Sequence, residues 1–595
     1  MQTQFDAVII GSGAGGAPIA SVLVQAGKTV LVLDKGPLLR PQYQDGQGLS
    51  DFKRDELFAT GPEKRIELPG VANRGAAYYS SHVEPDVNDE PHIYRERDGL
   101  DRATIEGYTA QVVGGGTQLY GGVSLRFSAT DFRLKSFNEG RTDLRNDPNG
   151  EVKREARDWP ITYDDLEPYY CTAEKLVGIN GTVANQAKRF SEDNYQTPLP
   201  PNPISHFIEQ GMDALGMSRY RTPLAVITQD HAPSGRRMTS DPKTAFVNRY
   251  GDPLGYKSNT WVSLLSPISK QPNFELRANC VVTHLECDGS RVSKVHYRDP
   301  GGTKRIVEGK VVVVACSAIE SIRLLKLSAQ LSQAFDQRIN QNDLLGKYFL
   351  THSFGGGEAE MPGRYDKSMT LDSDWASDFG ATEDFLRSRG LWAGGTIYNN
   401  TSDRALPISL ARTHGAQDLD NIWKAFVNDA SLTGDRLVEF LDQNFGTRLS
   451  ITFMANQVPV KSNRIELHPT VKDKWGRPVA YIIKQWHSHD MALMDTFADI
   501  CGQVLRAAGP VTPPSQGGVY QAENAYARIA NHILGGARFG TARNDSVLDP
   551  SCKAWDFDNL YVTDGSFMPT SGGGNPTLTI QANAFRVGDI LKTRI

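Results

Sequence analysis

Between Gly11 and Asp34 the chain carries the residue types that hold a phosphate. Gly11, Gly13 and Gly16 in GSGAGG give the spacing G-x-G-x-x-G, and Asp34 closes the next apolar run. In this arrangement Gly11 permits a tight turn, Gly13 lets the backbone approach a pyrophosphate, and Gly16 lets a helix pack close to a sheet. N–H groups at the helix N-terminus bind phosphate oxygens, and Asp34 accepts from a ribose hydroxyl. A second glycine-rich stretch, VGGGTQLYGGVSLR from Val113 to Arg126, suits a backbone passing close to a flat ligand, where any Cβ would collide. Near the C-terminus NHILGG puts a titratable imidazole, His532, beside two glycines, and GGGNP puts Asn575 before a proline. By residue type alone His532 reads as a structural histidine and Asn575 as a helix cap.

The elements that must position these residues are legible around them. Phe5 to Ile10 is an apolar, β-branched run of strand length, a small-residue helix follows to about Gly27, and Thr29 to Leu33 is a second strand. Strand, glycines, helix, strand and acid arriving in this order specify a dinucleotide site far better than the glycines alone. From Pro41 the chain runs into PQYQDGQGLSDFKRDELFATGPEK, which has no βαβ period and favours FAD over a nicotinamide cofactor. Thr162 with Asp165 three residues on predicts a capped helix start, and Asp288-Gly289 predicts a tight turn between strands. KVVVVACSAIESIRLLKLS (310–328) repeats the strand–turn–helix pattern, so a central parallel sheet with an antiparallel excursion is expected. Leu560 to Thr563 reads as a strand, and a helix is expected from Pro576, with Leu578, Ala582 and Phe585 on one face. Residues from about 350 to 525 read as strands of a half-exposed antiparallel sheet and as a second, substrate-side domain. The stretch 363–430, with Trp375, Trp392 and Tyr398, is a candidate lid whose aromatic faces could stack on sugar rings.

The chain has 595 residues, too many for one compact core, and a mean hydropathy of −0.41. Its formal charge of −5 gives no basic footprint for nucleic acid or anionic lipid. The cysteines (Cys171, Cys280, Cys287, Cys316, Cys501 and Cys552) form no CxxC pair and read as scattered thiols in a reducing compartment. No apolar run is long enough to span a bilayer, and no signal-like segment precedes the first strand. A cytoplasmic protein is the expectation, periplasmic only if exported with a signal-bearing partner subunit. The His487-Ser488-His489-Asp490 cluster is read as a solvated helix start, and no metal is expected.

These motifs, taken in order, resemble the glucose–methanol–choline (GMC) family of FAD-dependent oxidoreductases across nearly the whole chain. The resemblance rests on the N-terminal cradle, VGGGTQLYGGVSLR, SAIESIRLL with LLGKYFLTH (344–352), SNRIEL with DKWGRPV, and the closing H…NLYVTDGSFMP…NPTLT series. It implies an α/β fold: a Rossmann-like FAD-binding domain plus an α+β substrate domain with an antiparallel sheet, in the manner of p-hydroxybenzoate hydroxylase. The FAD domain would comprise 1–350 and 530–595, with excursions at about 36–110 and 130–225. The substrate domain would comprise 351–529.

The family places a histidine and, farther on, a second His or an Asn over the flavin, and His532 and Asn575 match those positions. His532 would take the hydroxyl proton of an alcohol while hydride passes to flavin N5, and Asn575 would bond the same oxygen. Cofactor contacts carried over by the resemblance are Gly11, Gly13, Ala14, Gly15, Gly16, Asp34 and Lys35 in the cradle. Gly115, Gly116, Thr117, Tyr120, Gly121 and Gly122 follow in the second glycine loop, then Val282, Ala315, Asp564, Gly565, Asn575 and Thr577. Some relatives bond FAD covalently through a histidine in that loop; Leu119 stands there, so non-covalent FAD is expected. Tyr120 occupies a position where many members have Asn.

At Asn575 the chain is similar to the pyranose-oxidase, gluconate- or fructose-dehydrogenase and cholesterol-oxidase branches, and DWPITYDDLEPYY and GGGNPTLTI resemble the sugar-acting bacterial members. The implied reaction is oxidation of a secondary alcohol on a sugar, sugar acid or glycoside to a ketone. Oxidation of a sterol or other apolar alcohol, or a lyase or non-oxidising flavoprotein, are the alternatives. The implied partners are a small alcohol substrate, an electron acceptor (oxygen, quinone or cytochrome) left open, and a further copy or a small subunit.

Overall fold

The computed structural model describes residues 2–41, 60–81, 86–104 apart from 97, 110–238, 252–361 apart from 253, 373–400, 448–509 and 532–595, with short pieces around 365 and 431–439. Residues 363–364, 366–372 and 401–430 of the candidate lid lie outside the described residues.

The strand Gln4–Ile10 pairs in parallel with Val30–Leu33 on one side and Lys304–Val314 on the other. Phe274–Arg277 extends the sheet beyond Val30–Leu33, and Leu560–Val562 lies parallel to Lys304–Val314. Val30–Leu33 and Val311–Val314 are buried at every position, as a parallel sheet covered on both faces requires. The strand Lys304–Val314 changes character midway. Its first half is largely exposed and pairs antiparallel with Arg291–Arg298, which in turn pairs with Val281–Asp288 across a turn containing Gly289 at φ +54°. The expected parallel sheet with an antiparallel excursion is therefore observed.

The helix Ala17–Gln25 lies against the C-terminal helix Thr577–Arg594, where a Cβ on Gly588 would stand 3.1 Å from Val22. Leu578, Ala582 and Phe585 are all buried. The helix Tyr163–Val177 begins with the expected reciprocal cap between Thr162 and Asp165. Its Tyr170 hydroxyl stands 2.7 Å from Thr579 Oγ1 of the last helix. Its Glu167 and Glu174 clamp the fully buried Arg126 guanidinium at 3.0 and 2.6 Å. Arg126 closes the second glycine loop, so this buried ion cluster fixes that loop to the helix.

Residues 351–529 divide between two sheets. Ser353–Glu360, Arg448–Ala455, Gly395–Asn400, Trp375–Ser377 and Tyr220–Arg221 form an antiparallel sheet in that order, covered by the helix Ser488–Ala507 through Leu493, Phe497 and Val504. Arg464–Lys472 and Pro478–Ile483 are the expected antiparallel strands, but they join His92–Arg95 and Asp101–Thr104 in a separate four-stranded sheet. A two-residue ladder, Phe349–Leu350 against Leu534–Gly535, ties the C-terminal segment to the chain entering the antiparallel sheet. Among the described residues no helix is long and apolar enough to cross a membrane.

Candidate active site

The cradle is closed by backbone contacts that tolerate no side chain. Gly11 has φ +103°, and a Cβ there would stand 2.2 Å from the Ala315 carbonyl oxygen. At Gly16 it would stand 2.0 Å from the Gly11 oxygen, and at Gly15 2.7 Å from that of Thr563. Gly13 differs: the nearest atoms to its imagined Cβ are 3.8 Å away, on Gly114 and Gly115. The two glycine-rich stretches thus face one another. Ser12 joins them, its hydroxyl accepting from the Gly114 N–H at 2.8 Å. The Asp34 carboxylate accepts from Ser12 N–H at 3.1 Å, from the Ser12 hydroxyl, and from Gly36 N–H at 2.9 Å. Burial pushes its pKa up to about 6. Asp34 therefore braces the turn in addition to any ribose contact.

One cavity brings together Gly11, Gly13, Ala14, Gly15, Asp34, Lys35, Gly115, Gly116, Thr117, Val282, Ala315, Asp564, Gly565, Thr577 and His532. Gly16 lies behind it, between helix and strand. Tyr120, Gly121, Gly122 and Asn575 do not line it. The Tyr120 hydroxyl instead donates to the Ser258 carbonyl at 2.7 Å, and the Gly122 carbonyl accepts from Ala225 N–H at 2.6 Å. That half of the loop is anchored to the chain beneath it, because a large phenol is accommodated more readily in packing than against a flat ligand. Lys35 is ion-paired with Glu90. The sequence reading missed Cys280, Cys316, Glu320, Arg323 and Arg477, which also line the cavity. Arg323 and Arg477 share Asp473 at 2.6 and 2.8 Å, an association that exists only once the four-stranded sheet has formed.

At the other end, Asn575 Nδ2 stands 3.4 Å from His532 Nε2. The Asn575 amide N–H donates to Nε2 in the tautomer that leaves the lone pair there. Asn575 Oδ1 is buried without a hydrogen-bond partner, and the residue capping the helix Thr577–Arg594 is Pro576. Asn575 therefore spends its side chain on the histidine and not on the helix. Pro576 and Thr577 line the cavity, so the positive end of this helix faces it.

His532 is placed by the short ladder. Gly535, at φ +71°, passes so close to Tyr348 that a Cβ would stand 2.1 Å from its carbonyl oxygen. The pairs Phe349↔Gly535 and Leu350↔Leu534, continued by two residues, set His352 opposite His532. Their rings meet edge to face, with centroids 4.9 Å apart at 81°. His352 ends the motif LLGKYFLTH, and only the ladder reveals its neighbour.

Two further expectations are corrected. His487, His489 and Asp490 are not solvated. His487 caps the helix Ser488–Ala507, His489 Nε2 accepts from Trp392 N–H at 3.0 Å, and Asp490 accepts from Val458 N–H at 2.9 Å. The aromatic residues offered as sugar platforms are structural: Trp392 and Tyr398 are buried in separate cores, and Trp375 lies beneath Arg219 and Arg221.

Comparison with known proteins identifies this arrangement. The GMC oxidoreductase family model matches residues 228–352 and 459–584. The chain carries two GMC oxidoreductase domains. A 2-methyl-1,2-propanediol dehydrogenase of Mycolicibacterium austroafricanum is 29% identical over 99% of this chain and 96% of its own. A 6'''-hydroxyparomomycin C oxidase of Streptomyces lividus is 28% identical over 99% and 92%. Among solved structures, a formate oxidase variant of Aspergillus oryzae RIB40, studied for its effect on FAD modification, superposes with a TM-score of 0.60 at 12% identity over 100% of this chain and 98% of its own.

A GMC oxidoreductase binds FAD, and the residues present fit it. The space before Gly13, the cavity-lining turn at Ala14–Gly15 and the N-terminus of the helix Ala17–Gln25 suit a pyrophosphate. The same GMC cavity continues to Thr117, His532 and Thr577, where a flat ring system would lie against small residues.

Proposed function

We propose that this GMC oxidoreductase oxidises a CH–OH group of a small polyhydroxylated substrate, a sugar, sugar acid or glycoside, with His532 as general base. The observation that carries the reading is the contact at 3.4 Å between Asn575 and His532, the latter on the wall of the cavity that also contains the cradle. FAD, when bound, supplies the hydride acceptor. The chain's own residues do the rest. Nε2 of His532 takes the hydroxyl proton, so the C–O bond gains double-bond character as the carbinol hydrogen leaves. Asn575 turns its amide to the same oxygen and fixes which hydrogen faces the cofactor. The N-terminus of the helix Thr577–Arg594 favours the negative charge that arrives on the cavity side.

A secondary alcohol giving a ketone is the form the sequence favoured. The diol named for one relative has a tertiary second carbinol, so a primary alcohol giving an aldehyde is the second reading. FAD is held without a covalent bond, since Leu119 offers no nucleophile.

Anaerobic mixing with glucose, gluconate, fructose, paromamine, 2-methyl-1,2-propanediol and cholesterol, in the dark, tests the reading through bleaching of the yellow flavin. Product analysis separates ketone from aldehyde. Bleaching by cholesterol alone would replace the polar substrate class by an apolar one, and bleaching by none would remove the oxidation itself. Denaturation should release free FAD into the supernatant; a yellow pellet would contradict the non-covalent assignment.

A further inference from the structure

His352 is fully buried, between the His532 ring and the loop that precedes Asn575. On one side its ring meets that of His532 at 4.9 Å between centroids. On the other, its nitrogens face the backbone of Ser571, Gly572 and Gly574, the loop that ends in Asn575. Neither ring nitrogen closes to hydrogen-bond geometry with any described group. Burial, with His532 beside it, holds the ring well below the usual histidine range, so it is neutral.

The surroundings are unusually polar for so deep a site. Thr351 N–H donates to Gln457 Oε1 at 2.7 Å, and Gln457 N–H donates to Ser571 Oγ at 2.7 Å. Ser571 Oγ donates to Asn456 Oδ1 at 2.9 Å, and Asn456 Nδ2 donates to Asp131 Oδ1 at 3.2 Å. Every residue in this chain is buried. The network fixes the backbone at Thr351 and at Ser571, on the two sides of the His352 ring, which itself packs against the His532 ring. A buried polar group without a formed bond costs free energy, so its retention at this point calls for a task that an apolar residue could not perform.

We propose that His352 is a positioning residue for the reaction, one imidazole that sets the spacing between the His532 ring and the loop carrying Asn575. The inference rests on the reading of His532 as the base. It follows from the ladder register, which brings residues 352 and 532 opposite one another, and from the close packing of the 571–574 loop. Shifts of about 1 Å in such a pair cost about 10²-fold in rate while leaving binding intact.

The test compares His352→Leu, which fills the space without an N–H, with His352→Gln, which restores a donor, each as flavin-loaded holoenzyme beside His532→Ala. The probe is the first compound of the panel above to bleach the wild-type flavin. In His352→Leu the limiting rate of flavin reduction should fall about 100-fold with the apparent substrate Kd within about threefold, and His352→Gln should recover at least about tenfold of that loss. A crystal structure of His352→Leu should show His532 Nε2 and Asn575 Nδ2 out of hydrogen-bonding range. Normal reduction by His352→Leu beside a crippled His532→Ala would overturn this inference alone. A loss explained wholly by missing FAD, or an unchanged His532–Asn575 separation, would overturn it as well. Wild-type reduction by His532→Ala would remove the base and, with it, the positioning role.

Discussion

The Gly11–Asp34 turn presents backbone to the cavity and comes from one contiguous strand–turn–helix–strand. His532 and Asn575, the proposed base and its partner, are side chains delivered by distant segments that are tied by the Phe349–Leu350 ladder and the packing of the 571–574 loop. The first region works because side chains are absent, the second because two are present at a set distance. They should therefore fail differently, the cradle in folding and cofactor retention, the pair in rate with the cofactor still bound.

The largest expected effect is within the cradle itself. Gly16→Val would drive a Cβ to 2.0 Å from the Gly11 oxygen and should cost about 4 kcal/mol or more, giving insoluble or unfolded protein. Gly13→Val has room in the protein and should fold, yet stay colourless because the side chain takes the space of the pyrophosphate. Circular dichroism and absorbance at the flavin band separate the two outcomes. A yellow Gly13→Val protein would break the assignment of that space.

Next comes His532→Ala, which should keep its FAD and lose about 10²–10⁴ in turnover, the usual contribution of a positioned base. Gly535→Ala should act between the two regions. Its left-handed φ and its approach to Tyr348 should cost about 2–4 kcal/mol in thermal or urea unfolding, with turnover reduced more than FAD content. Equal loss of FAD and turnover would mean the ladder serves the cradle as much as the pair.

The smallest effect concerns pH. A histidine in the unfolded chain binds a proton near pH 6.5, whereas folded His352 does so only well below that. The unfolded state thus binds more protons as pH falls through 6.5, and stability is lost on the acid side. His352→Gln should remove up to about 1.4 kcal/mol per pH unit of that acid-side slope, measured by urea unfolding of wild type and variant between pH 6.5 and 5. An unchanged slope would mean that His352 takes its proton in the folded state as readily as in the unfolded.

The same contrast explains what could be read from the amino-acid order. The turn at Gly11–Gly16, the reciprocal cap at Thr162 and Asp165, and the apolar face of Leu578, Ala582 and Phe585 are local events, with causes lying within a few residues. Tyr120 was misread because a glycine-rich stretch does not reveal which half faces the ligand. Trp375 and Trp392 were misread because an aromatic residue in a polar stretch has no sequence mark distinguishing a platform from a core. The segment 464–483 was read correctly as strands, but its pairing with His92–Arg95 is a long-range choice made by the edge it meets.

Sequence by itself determined the phosphate turn and the parallel strands, because those depend on backbone freedom and residue chemistry at short spacings, whereas His532 and Asn575 stand out only through the family resemblance. The tertiary structure alone decided that His352 lies against His532, that Asn575 serves the histidine and not its helix, and that Arg323 and Arg477 share one carboxylate at the cavity wall. Those relations join residues far apart along the chain, and only the pairing register of strands and the packing of loops bring such residues to contact distance.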